Sequence, residues 1–502
     1  MIDRAALRSG WSRSLVASLL ACSILGAARA EDNDGRTTPE PVIASHRPIT
    51  ASHKPVIATH KPAIASRKLL AAGETVGSLG DKTIRAGGKV LKAGDKTVRP
   101  ADKPVRVSDK AVGSADKAAP SAEKAAGEPA KPEEKPYSSW FRYRAELDQT
   151  WAITADPADS MRLTIRRKSP VQSGSLRHVL VLYPRPSSAY DIAISSILRV
   201  FDDKEQNVEF TVVNFDLKDW RGRQVIDFAE SKAFDLIFAM GSESTAWMHE
   251  HYRGGAIPVV SVCSKDPVEL GQMKDYDHGS GTNFAFTSLN VPVDVQMAYV
   301  RELKPDLANI AVLVDSKNVS AVQTQAEPIA KYARLHGIGV VTVAVQDPKT
   351  AREELARLIP DAVRTMRKTD PNLTRSLFWL TGSTSVFKEI HTINENVGRV
   401  PVVSVVPEIV TEGADTAALG IGISFESNAH LAAVYADQIL RRVVRAGDLK
   451  VGIVSPPDIS ISFLKAHEIG MRIPFSFFES ASFIYDYRGR AVRRVGHEGA
   501  VN

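Results

Sequence analysis

Cysteine is almost missing from this chain. Among 502 residues only Cys22 and Cys263 occur, and Cys22 falls in a leader-like N-terminus where it is cleaved off or lipidated. No intramolecular disulfide and no Cys ligand set for a metal can therefore form. Cys263, at the end of an apolar run, reads as a small core residue. Catalytic signatures are missing as well: there is no P-loop and no nucleophile elbow. His249-Glu250-His251 lacks the H-E-x-x-H spacing, and two helical residues that far apart point about 200 degrees apart, so both histidines read as surface residues. Gly420-Ile421-Gly422 lacks the third glycine of a dinucleotide fingerprint and follows no suitable strand. No basic stripe interleaved with aromatics runs through the globular part, which excludes a nucleic-acid-binding face.

What is present begins with an unevenly spread charge. The formal net charge is +6, yet residues 46–124 alone hold sixteen Lys or Arg against seven Asp or Glu, leaving the remainder near neutral. Ahead of them stand Arg4, Arg8 and Arg13, the apolar run 15–25, and Ala28-Arg29-Ala30. The run is too short to span a membrane, and the order matches a secretory signal peptide over residues 1–30, cleaved after Ala30. Leu19-Leu20-Ala21-Cys22 also resembles a lipoprotein box, with Cys22 as the lipidated residue and the only membrane attachment. Either way the expected location is the periplasm or cell envelope.

Residues 31–135 are dominated by Ala, Lys, Pro, Gly, Ser and Asp and cannot supply a core, so they read as disordered. A seven-residue repeat holds its phase there, from His46-Arg47, His53-Lys54 and His60-Lys61 to Asp109-Lys110, Asp116-Lys117 and Glu123-Lys124. A coiled coil needs two apolar positions per repeat and only one is regular, while Pro48, Pro55, Pro62 and Pro104 interrupt any helix. The segment reads as an extended spacer, or as a polybasic arm that touches an anionic cell-envelope partner. Residues 136–177 gather Trp140, Phe141, Tyr143, Trp151 and Ile153 and read as a short ordered appendage packed on the main domain.

From residue 178 the pattern alternates strand and helix, which predicts an α/β fold of parallel sheets with helices on both faces. Residues 178–183 (HVLVLY), 208–213, 236–240 and 257–262 read as strands of a first lobe. Residues 309–314, 340–345, 377–380 and 401–406 read as strands of a second, with helices at 322–336, 352–366 and 386–396. Polar clusters close several strands, and in open α/β sheets ligands sit beyond the carboxyl ends of strands.

These residues carry a family resemblance. DLIFAMGSESTAW, IPVVSVCSKDPVELG, NFAFTSLNVPVDVQMAYVRELKPDLANIAVLVD, VPVVSVVPEIVTEGADTAALGIGISFESNAHLAAVYADQILRR and ISISFLKAHEIGMRIP together resemble ABC-transporter substrate-binding proteins of the type I periplasmic-binding fold, in the branch of tryptophan- and tyrosine-type binders. The resemblance implies two lobes joined by three crossings, residues 178–290 with 423–452 and residues 291–422 with 453–490, followed by a tail at 491–502. It also implies no cofactor, a small polar or amino-acid-like ligand, and an ABC permease as partner. The rival expectation is a binding-fold adaptor or sensor input that acts through protein contacts, suggested by the long repeat segment and by departures from the family pattern such as Glu243.

Carried over by position, the cleft loops are 183–188, 241–245 and 264–266 from the first lobe, and 315–318, 381–384 and Glu408 from the second, with 424–427 near a crossing. Ser242, Ser244 and Thr245 offer hydroxyls at a helix N-terminus suited to a carboxylate, with Glu243 among them, and Ser187 and Ser188 add further donors. Glu408 or Asp315 would meet an amino group, and Asp266, Ser316, Ser383 and Thr384 complete the set. For each Ser or Thr the competing reading is a plain helix cap.

Overall fold

The computed structural model describes residues 135–494 other than 170, 172 and 173. The leader, the Cys22 and Ala30 processing sites and the seven-residue repeat lie outside the described residues. The first sheet contains β1 (Trp151–Asp156), β2 (Asp159–Arg167), β3 (Arg177–Tyr183), β4 (Val208–Asn214), β5 (Leu236–Met240), β6 (Val259–Val262) and β7 (Phe284–Ala285), in the order β1-β2-β4-β3-β5-β6-β7. Its centre, β4-β3-β5-β6-β7, is parallel. Covered on both faces, β3 and β5 are apolar almost throughout, as a two-sided parallel sheet requires.

The helix Ser188–Asp203 lies on this sheet because Ile194, Ile197, Leu198 and Phe201 recur at helical spacing and are fully buried. Each such side chain contributes roughly 2 kcal/mol of transfer free energy. Ser187 caps the helix by accepting from the Ala189 N–H.

After β8 (Thr287–Ser288) the chain enters the second sheet, made of β9 (Asn309–Asp315), β10 (Gly339–Val345), β11 (Ser376–Leu380), β12 (Val402–Ser404) and β13 (Leu419–Gly422). It then returns to the first sheet as the helix Phe425–Leu440, which packs on Ser188–Asp203, and pairs β14 (Gly452–Ile453) with β8. Finally it crosses back to add β15 (Asp458–Ser462), β16 (Phe483–Tyr485) and β17 (Ala491–Arg494) to the second sheet, whose order is β10-β9-β11-β12-β13-β15-β16-β17.

Two expectations need correction. The α/β fold of parallel sheets with helices is as expected, with antiparallel strands added at one end of each sheet: β2 runs antiparallel to β1 and β4, β15 to β13, and β17 to β16. The reversals occur where a hairpin or a returning crossing brings the chain in from the opposite end. Residues 151–167 are not an appendage on the domain, because β1 and β2 extend the first sheet beyond β4 and bury Trp151 against Phe210 at 5.8 Å. The tail loses its first four residues to β17, whose Arg493 and Arg494 guanidiniums lie over the rings of Phe478 and Tyr485.

Candidate functional site

The site is built where strand ends of the two sheets face each other. β5 ends at Met240, and the chain enters the helix Gly241–Tyr252 through Gly241 at φ +78. A Cβ at Gly241 would lie 2.0 Å from the Tyr190 hydroxyl, so only glycine permits this approach. No side chain caps this helix, and its first N–H groups are therefore without the partner that a cap supplies. β6 ends at Val262 and Cys263, which adopts φ +54, a conformation that non-glycine residues adopt at a cost.

A cavity of about 60 Å³ opens between these ends and the second sheet. From the first side it is lined by Arg185, Ser187, Tyr190, Ser242, Glu243 and Lys265. From the second come Asn318, Ser320, Gln325, Gly382, Thr384 and Phe387, with Leu289, Ile423 and Phe425 from the crossings. One water needs about 10–15 Å³ measured in this way. The space thus accepts a few waters or the polar end of a small solute, and a larger solute requires the two sides to part.

The electrostatics are set by three ionisable groups. Arg185 Nη2 stands 3.0 Å from Glu243 Oε2, so the acid that departs from the family pattern is already paired with a cation. Lys265 is buried, with its backbone N–H donated to Ser242 Oγ at 2.9 Å. Burial pushes its ammonium down to about 8, Arg185 acting in the same direction and Glu243 against it. Two cations against one carboxylate leave the cleft positive while Lys265 is protonated. Opposite them, Gln325 projects from a π-helical stretch, Val322–Ala326, and accepts from the Gly382 N–H at 2.7 Å. That stretch interrupts the continuous helix expected over 322–336, and such bulges recur where a helix must re-aim a side chain.

Of the residues singled out from sequence, the structure brings Ser187, Ser242, Glu243 and Thr384 to this cavity. The others are placed elsewhere. Ser244 and Thr245 are fully buried and donate to Leu182 O and Gly241 O at 3.0 and 2.8 Å. Helical periodicity turns these two hydroxyls into the sheet rather than the cleft. Ser188 is an exposed first-turn residue behind its cap. Asp315 accepts from the Lys317 N–H and the Ser385 hydroxyl, while Ser383 accepts from the Asp315 N–H and pairs with Thr381. Those two residues hold the strand ends together.

Asp266 caps its own turn through the N–H groups of Val268 and Glu269 and accepts from Ser288 Oγ. Ser316 donates to Val345 O. Glu408 lies on the far side of the crossing segments, where its Oε1 accepts from the Phe425 N–H at 2.5 Å. Cys263 is buried as expected, yet it also borders the cavity. His251 stacks on Trp247 at 4.6 Å, and His249 is half-buried beside Phe284 and Phe286.

The polar cavity-lining residues absent from the predicted set are Arg185, Tyr190, Lys265, Asn318, Ser320 and Gln325. Arg185, Lys265 and Asn318 fall inside the predicted loops, where hydroxyls and acids stand beside them. Tyr190 and Gln325 sit on helices, where nothing local distinguishes a cleft-facing side chain from a core one.

The model of one protein family, described as ABC transporter substrate binding protein, matches residues 203–482, more than half of the chain. No curated protein matches. Among solved structures, a conserved domain protein from Vibrio cholerae is 17% identical with a TM-score of 0.49, covering 62% of this chain and 100% of that one. An ABC domain in complex with L-Trp from Streptococcus pneumoniae is 16% identical with a TM-score of 0.47, covering 62% and 100%. A substrate-binding protein with adhesive properties from Clostridium difficile, in its ligand-free open form, is 18% identical with a TM-score of 0.47, covering 61% and 98%. With the family match covering more than half of the chain and strands of both sheets from β4 to β15, this chain belongs to the ABC transporter substrate-binding proteins.

Proposed function

We propose that the protein works in the periplasm or cell envelope as the solute-binding component of an ABC uptake system. It captures a small zwitterion of amino-acid type between its two lobes and presents it to a permease. The lobes are residues 178–290 with 423–452 and residues 291–422 with 453–490, to which the 136–167 segment adds on the first side. The observation that carries the reading is the cavity lined from both sheets, with Lys265, Arg185 and Glu243 on one wall and neutral amide and hydroxyl groups on the other.

In this reading Lys265 and the uncapped N–H groups at Gly241 receive the ligand carboxylate. Glu243 receives the ammonium in place of the Glu408 or Asp315 suggested by sequence position. Ser187, Ser242, Asn318, Gln325 and Thr384 supply neutral hydrogen bonds that fix orientation. A ligand that touches both walls stabilises the closed arrangement by its differential affinity for it.

Thermal unfolding of the purified protein against a panel of amino acids and small carboxylates tests this. A true ligand at about 100 times its Kd adds roughly 2.7 kcal/mol of stability. At the same ligand concentration the increment should fall to about 1.4 kcal/mol or less in Lys265→Met, the value for binding tenfold weaker or more. A full panel of zwitterions without a saturable shift would refute the ligand class.

A further inference from the structure

A second cavity, of about 200 Å³, lies behind the crossing segments and shares no lining residue with the cleft. Along those segments neighbouring residues face opposite ways: Val405, Val406 and Phe425 border the cleft, whereas Pro407, Glu408 and Glu426 border this second space. Arg144 and Ile192 close it from the first-sheet side, and Val410, Phe483, Tyr485 and Arg494 from the second.

Two buried polar atoms here meet no protein group, Arg144 Nη1 and Glu408 Oε2. Their sister atoms are engaged. Arg144 Nη2 is 2.8 Å from Glu426 Oε2, whose other oxygen is 2.8 Å from Arg199 Nη1, and Glu408 Oε1 takes the Phe425 N–H. Arg144 and Glu408, each with one buried polar atom that no protein group meets, thus line one pocket from opposite sides of the lobe boundary. Leaving both unsatisfied is unfavourable, and a ligand with several acceptor oxygens satisfies both if the carboxyl keeps its proton.

We propose that this pocket is an effector site for a small oxyanion, carboxylate or phosphate, held between Arg144 and Glu408 so that it bridges the two lobes. Arg144 and Arg494 line the pocket with Arg199 just behind, and carboxylates already partner all three: Glu426 takes Arg144 and Arg199, Glu146 stands 3.6 Å from Arg199, and Glu412 pairs with Arg494 at 2.7 Å. The Arg144 nitrogen without a protein partner is the donor left for an anion. The groups facing Glu408 are Glu426, Asp458, Cys263, Tyr485 and the Phe425 N–H. Burial, the largest influence, pushes its carboxyl up to about 8, with Asp458 and Glu426 adding to the rise. Near pH 7 the group is therefore a proton donor, and above pH 8 it becomes a carboxylate that repels an anion. Ile192, Val410 and Phe483 provide an apolar wall for a short alkyl tail, which would favour a carboxylate over phosphate.

The test uses the full chain titrated at pH 7 with sodium acetate and, separately, sodium phosphate, with sodium chloride at matched ionic strength as control, following the midpoint of thermal unfolding. The expected result is a saturable rise with at least one oxyanion. It should be retained in Lys265→Met, lost in Arg144→Gln, and lost in the wild type at pH 9 but kept there by Glu408→Gln. The stronger of the two anions tells whether the alkyl wall or the extra oxygen matters. A rise that chloride reproduces, a rise unchanged in Arg144→Gln, or no saturable rise overturns the proposal. Should Arg144→Gln not fold, the pH comparison decides, because equal responses of wild type and Glu408→Gln at pH 7 and 9 overturn it. Loss in Lys265→Met would instead assign the response to the cleft, so failure here leaves the cleft reading standing.

Discussion

At the scale of single residues, the cleft depends on groups held in costly states. Gly241 at φ +78, with the Tyr190 hydroxyl 2.0 Å from where a Cβ would go, leaves no room for alanine. Gly241→Ala is expected to cost roughly 1–3 kcal/mol from backbone strain alone, and more once Tyr190 is displaced; urea unfolding measures the loss. Lys265 is costly in a different way. Its ammonium is held at about 8 by burial, below its unfolded value, so the folded state disfavours the charged form. That penalty is fully present below pH 8 and fades as pH rises toward the unfolded value near 10.5, so stability should rise across pH 8 to 10.5 by roughly 3 kcal/mol.

Lys265→Met should accordingly be more stable than wild type at pH 7, while a zwitterionic ligand binds it about tenfold or more weakly. An anionic group bound beside Lys265 favours its protonated form. Calorimetry near pH 8.5 in buffers of different ionisation enthalpy should therefore show proton uptake on binding, and affinity should fall as pH rises past 8.

At the scale of elements, two tie points join segments far apart in sequence. Asn428, on the helix that returns to the first sheet, is fully buried; its Oδ1 accepts from the Cys263 N–H at 2.7 Å and Thr287 Oγ1 at 3.2 Å, and its Nδ2 donates to Ser288 O at 3.1 Å. Asn428→Ala would strand these partners without water, so a loss of about 2–4 kcal/mol in denaturant unfolding is expected. Trp151, on β1, is fully buried against Phe210, with the Arg167 guanidinium 4.9 Å from its ring. Trp151→Ala should cost about 3–5 kcal/mol, the range for truncating a buried large aromatic. A small effect there would mean that the β1–β2 hairpin is dispensable to the sheet. The aromatic cluster of residues 140–153 was visible in the sequence, but its place in the sheet was not, because β1 and β2 alternate only loosely between buried and exposed positions.

At the scale of the whole molecule, two sheets share three chain crossings, and the polar strand ends of both meet at one cavity while a second lies behind the crossings. The strands expected from residues 178–183, 208–213, 236–240, 309–314, 340–345 and 377–380 are present to within a residue or two. Two-sided burial writes itself as continuous apolar runs, and helix caps or glycines mark the ends. The antiparallel direction of β2, β15 and β17 was not legible, and length is not the reason, since β2 spans nine residues and β15 as many as β5. Strand direction is set by where a distant crossing re-enters, which no local period encodes.

The sequence by itself determined the alternation of strand and helix, the membership of the binding-protein family and the loops that border the cleft, since each rests on local periodicity or on motifs quoted whole. Only the tertiary structure decided which side chain in each loop faces the cavity. It turned Ser244, Thr245, Asp315 and Ser383 into internal ties, brought Lys265, Arg185 and Gln325 forward, and carried Glu408 to the opposite side. The physical reason is that a rotation of about 100 degrees per helical residue, or one step along an extended segment, reverses the face a side chain presents. Which face becomes cleft depends on what the other sheet brings to it.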